Sequence, residues 1–113
     1  MDELCERIGL ERPVILGSSL GGRVAMKPVA PGVMARLVEL GRSSDDLPPH
    51  LREIDCPVLV MTGDSDPAAT PDDAADIVAA MGNRAQMEVI ADASHGVYRD
   101  QPDAFIDAVQ RLP

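Results

Sequence analysis

The stretch Pro13-Val14-Ile15-Leu16-Gly17-Ser18-Ser19-Leu20-Gly21-Gly22-Arg23-Val24-Ala25-Met26 joins a short apolar run to a G-x-S-x-G pattern and then to residues able to start a helix. A strand that turns sharply into a helix brings backbone close to backbone, so small residues are needed two positions either side of the apex. Gly17 and Gly21 supply them. Ser19 then stands at the turn with its hydroxyl exposed, which is where a nucleophile has to be. The pentapeptide alone also fits an ordinary Gly/Ser loop; the strand before it and the helix after it give the serine a chemical reading. Pro28 and Pro31-Gly32 hold the following helix to about two turns.

Around this stretch, 113 residues are enough for a single domain, spanning 1–113, with a modest core. With one Phe, one Tyr and no Trp, that core must be built from Val, Ile, Leu, Met and Ala. A formal net charge of -9 argues against nucleic acid and against an anionic membrane surface, both of which are polyanions that bind basic patches. No stretch approaches the ~20 apolar residues of a membrane span. The first residues, with Asp2, Glu3 and Glu6, are unlike a positively charged signal peptide, so a cytoplasmic location is expected. Cys5 and Cys56 form no C-x-x-C and are read as free thiols.

Along the chain, Leu4, Cys5 and Ile8 share a helical face that Gly9 can end, and Pro13 to Gly17 reads as a strand buried on both sides. Val33, Met34, Leu37, Val38 and Leu40 recur at helical spacing up to Gly41, which favours a helix, although Met34 to Leu40 is also short enough for a strand. After a polar connection at Ser43 to Asp46, Pro48-Pro49-His50-Leu51 opens a turn leading to Ile54. Pro57-Val58-Leu59-Val60-Met61-Thr62, closed by Gly63, is the clearest strand. Thr70 reads as a helix N-cap with Pro71 at the first position and Asp72 and Asp73 at the positive end of the dipole. Ala74, Ile77, Val78 and Met81 form its buried stripe. Met87, Val89 and Ile90 make a further strand, and a last helix starts near Pro102 with Phe105, Ile106, Val109 and Leu112 facing inward. The expectation is an α/β domain, a small three-layer parallel sheet of about three strands flanked by helices.

In open parallel sheets the carboxyl ends of the strands line the site. Ser19, Asp66 and His95 each follow such an end, so three distant positions can converge as a Ser-His-Asp relay. The imidazole takes the serine proton and the carboxylate orients the ring. Asp64 is a second candidate for the acid, and both aspartates also suit a turn leaving a strand. His95 has the alternative of a loop histidine, and His50, among prolines on a polar connection, reads as surface. Asp64-Ser65-Asp66 begins like a calcium loop, but Ala68 stands at the third ligand position and no glycine follows, so no metal is expected.

The order serine, acid, histidine is that of the α/β-hydrolases. The chain resembles the C-terminal part of a single-domain member of that superfamily, of the esterase, enol-lactonase and C-C hydrolase type. The resemblance runs from about Leu4 to Leu112 and is carried by LGSSLGGRVAM, CPVLVMTGDSDPAATP and ADASHGVYRDQPDAFIDAVQRL in that order. It implies acyl transfer to water from a small ester, lactone or related acyl substrate. Ser19 is then nucleophile, His95 base and acid, and Asp66 orienting group, with the backbone N–H of Leu20 in the oxyanion hole and no cofactor. Asp66 is favoured over Asp64 because the family places its acid three residues after the strand's glycine.

The resemblance also implies four strands before the elbow strand and an oxyanion donor from a loop among them. This chain opens on the helix just before the elbow, and the stretch from Lys27 to Ile54 reads as too short for a further strand, its helix and a lid. A truncated domain is expected, lacking one donor. The first strand then has an edge without its neighbour, which invites pairing with a second copy into a homodimer. The alternative to a working hydrolase is a weak or inactive remnant serving folding or association.

Overall fold

A computed structural model of the chain describes residues 6–18, 36–41 and 51–112. The described strands are β1 (Val14–Ser18), β2 (Arg36–Leu40), β3 (Val58–Gly63) and β4 (Ala85–Ile90). They form one sheet in the order β1-β2-β3-β4, all parallel, with Leu16 opposite Val38, Val38 opposite Leu59 and Leu59 opposite Gln86. Besides the helical residues 6–8, the described helices are α1 (Pro71–Met81), α2 (Val97–Asp100) and α3 (Pro102–Arg111), and a 3₁₀ turn covers Leu51–Glu53.

The expected α/β architecture is present, with four described strands. The additional one is Arg36–Leu40, where helical spacing had favoured a helix over a strand and the connection had looked too short for a further strand, its helix and a lid. The cause of that error is burial. Leu37, Val38 and Glu39 are all fully buried, because β2 lies between two strands and under both helical layers. A strand covered on both faces is apolar on both faces, so it loses the alternation that marks a strand in sequence.

The two layers divide the core by residue parity. Leu37, Val58 and Val60 face α1, packing with Ala74, Ile77, Met81, Leu51 and Cys56. Val38, Leu59 and Met61 face the other way, toward Val97, Ala108 and Leu112. Successive side chains on a strand point to opposite faces, so an unbroken run such as Val58 to Met61 fills both cores at once.

Helix α1 begins as its sequence dictates. The Thr70 hydroxyl accepts from the Asp73 N–H at 3.2 Å while an Asp73 carboxylate oxygen accepts from the Thr70 N–H at 2.8 Å, closing a capping box in front of Pro71. In α3 the inward stripe differs from expectation at one position. Phe105, Val109, Ala108 and Leu112 pack on the core, but Ile106 is exposed. On β4 only Ile90 is buried, and Met87 and Val89 are exposed at this edge of the sheet. Residues 6–8 are helical, ending at Gly9 with φ of 73°, whereas Leu4 and Cys5 lie outside the described residues. Cys56 is a free, buried thiol.

If Arg36–Leu40 is a central strand, truncating Leu37 opens a cavity between sheet and α1. Leu37→Ala should lower unfolding stability by about 2–5 kcal/mol, read from urea denaturation. A loss below about 0.5 kcal/mol, the range of surface substitutions, would contradict its position in the sheet.

Candidate functional site

Because the four strands are parallel, their carboxyl ends share one edge of the sheet, where Gly41 and the loops after β3 and β4 are described. Gly41 follows β2, Asp64-Ser65-Asp66 follows β3, and the segment to His95 follows β4.

Asp66 and His95 meet there. A carboxylate oxygen of Asp66, Oδ2, is 2.8 Å from Nδ1 of His95. The other, Oδ1, accepts the backbone N–H groups of Ala68 at 2.8 Å and Ala69 at 3.0 Å. The Asp66 side chain is 0% exposed and the His95 ring 43% exposed, so the pair has one dry end and one open end. Burial by itself would raise the Asp66 carboxyl. The Ala69 N–H, the His95 ring and the Ala68 N–H together outweigh it and hold the carboxyl below the usual carboxylate range. An ionised carboxylate only accepts, so the proton between the two groups belongs to Nδ1. In the neutral ring this leaves the lone pair on Nε2. A buried acid thus orients the ring by its Nδ1 side, and a neutral ring so held can accept a proton at Nε2.

Asp64, the alternative acid, is exposed and turned to its neighbour: the Ser65 hydroxyl donates to its Oδ1 at 3.0 Å. That bond is the main cause of a lowered Asp64 carboxyl. Ser19, Leu20 and His50 lie outside the described residues; the neighbour of Ser19, Ser18, is the last residue of β1.

The acid and histidine loops are locked together by their backbones. Asp64 N–H donates to the Ile90 carbonyl and Ser65 N–H to the Ala93 carbonyl, each at 3.0 Å. Gly63 makes this approach feasible, since a Cβ there would come within 2.2 Å of the Ala93 carbonyl oxygen. The buried Thr62 hydroxyl donates to the Ala69 carbonyl at 2.6 Å, closing the acid loop on itself. On the histidine side, an Asp100 carboxylate oxygen accepts the Ser94 N–H at 2.9 Å. Gly41, Thr62 and Asp100 were not singled out from sequence as site residues. Thr62 read as the end of a strand and Gly41 as a terminator, and nothing local to either reveals which loop will lie against it.

Among the described residues no group of three or more His, Cys, Asp or Glu could hold a metal ion, and no helix is long and apolar enough to cross a membrane.

Solved structures share this fold. An α/β-hydrolase enzyme from the metagenome of lagoon sediments at Mar Chica, Morocco, superposes with a TM-score of 0.84 at 19% identity, over 96% of this chain and 64% of its own. The fold is that of the α/β-hydrolases. A thermophilic esterase from Thermogutta terrifontis matches with a TM-score of 0.79 at 16% identity, over 95% of this chain and 66% of its own. A meta-cleavage product hydrolase from Pseudomonas fluorescens gives 0.79 at 12%, over 94% and 66%. The chain thus carries part of the α/β-hydrolase fold, spanning 64% of the length of the lagoon enzyme. No protein-family model matches it, and no curated protein matches it in sequence.

Two measurements test the electrostatics of the pair. Asp66→Ala removes the acceptor of two N–H groups beside a buried position and should destabilise the fold by about 2–3 kcal/mol; Asp66→Asn keeps one oxygen for them and should lose less, and Asp64→Asn almost nothing. Since the folded Asp66 carboxyl lies below its unfolded value of about 3.9, its contribution is complete above that pH and is lost as pH falls through the folded value. Urea titrations taken from neutral pH into acid should therefore show wild type and Asp66→Asn converging only on the acid side. A gap that widens in acid would contradict the assignment.

Proposed function

We propose that this chain is a serine hydrolase of the α/β-hydrolase type, acting on a small ester, lactone or related acyl substrate. The observation that carries the proposal is the buried Asp66 hydrogen-bonded to His95 past the ends of β3 and β4. It is supported by the G-x-S-x-G sequence, in which Ser19 is the residue after β1, whose carboxyl end lies on the same edge of the sheet. Esterases and a meta-cleavage product hydrolase share the fold at low identity, which is compatible with the acyl chemistry but does not select a substrate.

In this mechanism Nε2 of His95 takes the proton of Ser19 as its oxygen attacks the acyl carbon. Asp66 stabilises the imidazolium that forms and holds the ring's orientation. The backbone N–H of Leu20, the residue after the nucleophile, donates to the developing oxyanion. His95 returns its proton to the leaving oxygen, and water, deprotonated by the same nitrogen, releases the acid.

A second reading, an association module with little or no activity, is favoured by one observation. Val14 and Leu16 on β1 are 45% and 48% exposed, and among the described residues no strand pairs with the edge of β1 away from β2. An apolar strand edge of this kind invites pairing with a second copy.

The two are separated by mixing the protein with a p-nitrophenyl ester of a short acid. Acylation of Ser19 should give a burst of nitrophenol stoichiometric with protein, absent in Ser19→Ala. Asp66→Asn should lower turnover far more than Asp64→Asn, by up to about 10⁴ where an amide imposes the wrong histidine tautomer. Equal hydrolysis by wild type and Ser19→Ala, together with a dimer in sedimentation equilibrium, would reject the hydrolase in favour of the association module.

A further inference from the structure

The sheet brings a third group against the Asp66–His95 pair. Gly41, the buried residue directly after β2, is held by its N–H donating to the Met61 carbonyl at 3.1 Å and adopts φ of 57°, in the left-handed region. A Cβ built on it would lie 3.0 Å from Cε1 and 3.1 Å from Nδ1 of His95, and 3.6 Å from Oδ2 of Asp66. The bare backbone at the end of β2 is thus a wall against the edge of the imidazole that carries the hydrogen-bonded nitrogen. The two distances to His95 are tighter than ordinary van der Waals separations, whereas that to Asp66 is an ordinary contact, so a side chain would force the ring to shift by a few tenths of an ångström. The ring is the group that yields, since it is partly exposed, whereas Gly41 is tied to β3 and Asp66 is held by two backbone donors.

We propose that Gly41 is a positioning residue for His95: its missing side chain and its left-handed backbone let the imidazole rest against β2 with Nδ1 on Asp66. The role in catalysis rests on the hydrolase proposed above, but the effect on the ring does not. The chain has two histidines, so the ring resonances of His95 can be assigned by comparison with His95→Gln.

Three variants separate contact from backbone strain. Gly41→Ala adds the Cβ and also imposes an unfavourable backbone. Gly41→Asn adds the same Cβ on a residue that tolerates the left-handed region, so it remains informative if the alanine variant fails to fold. Gly9→Ala imposes comparable strain at φ of 73°, where a new Cβ meets nothing within 4 Å. In ¹⁵N spectra of the imidazole, wild type and Gly9→Ala should show a single tautomer with Nδ1 protonated. The folded Gly41 variants should show both ring nitrogens shifted toward a mixture and a weakened Nδ1 proton resonance. In ester hydrolysis, the Gly41 variants should lose roughly tenfold in kcat, short of the ~10² of a full ångström's misplacement, with KM little changed, while Gly9→Ala keeps the wild-type kcat.

Unchanged ring nitrogens in folded Gly41→Ala or Gly41→Asn would overturn the proposal, even with the hydrolase intact. So would equal losses in Gly9→Ala and the Gly41 variants. A shifted ring in a protein whose wild type shows no Ser19-dependent hydrolysis would uphold the positioning role and reject the hydrolase.

Discussion

A carboxylate buried at the edge of a parallel sheet must be supplied with donors, and the hydrogen bonds of Asp66 organise everything around them. Desolvation pushes this group toward its neutral form; two backbone N–H groups from its own loop and the ring nitrogen of His95 reverse the balance. The two backbone donors require the chain to turn back immediately after Asp66, which it does through Pro67 toward the N-cap of α1. The third requires a loop from another strand to arrive within hydrogen-bonding distance. A buried charge left short of one of these partners would destabilise the fold, so the requirement that keeps Asp66 ionised also holds His95 in one orientation.

That loop is brought in by backbone as much as by side chains. β3 and β4 are adjacent parallel strands, and their ends run on into mutual hydrogen bonds from Asp64 and Ser65 to Ile90 and Ala93. Gly63 permits the crossing, Thr62 closes the acid loop and Asp100 receives the N–H of Ser94 beside the histidine. Around this unit the sheet supplies rigidity: its central strands are covered by α1 on one face and by α2 and α3 on the other, and the apolar run Val58 to Met61 is shared between the two cores. The open side belongs to the ring of His95.

Helix α1 was legible in detail because its signals are local. Thr70, Pro71 and Asp73 cap the same few N–H groups they neighbour in sequence, and the stripe Ala74, Ile77, Met81 repeats at the helical period. β3 was legible through its β-branched run and closing glycine. β2 was not: Leu37 to Glu39 are buried on both faces, so their pattern lacks the period of two, and the buried Glu39 gives no hint of a central strand. Ile106 was placed inward on periodicity, yet α3 turns it to solvent and buries Ala108.

The sequence by itself determined the alternation of strands and helices, the parallel sheet that follows from it, and the placement of Asp66 and His95 just beyond strand ends. Each of these depends on residues within a few positions of one another, through hydrophobic pattern, capping and turn chemistry. Only the tertiary structure put Asp66, which the family resemblance had favoured over Asp64, in contact with His95, inserted β2 beside β1, and laid the backbone of Gly41 against the imidazole. Those facts depend on register between strands and on which loops meet across the sheet edge. They are set by contacts between residues distant in sequence, for which the local pattern carries no signal.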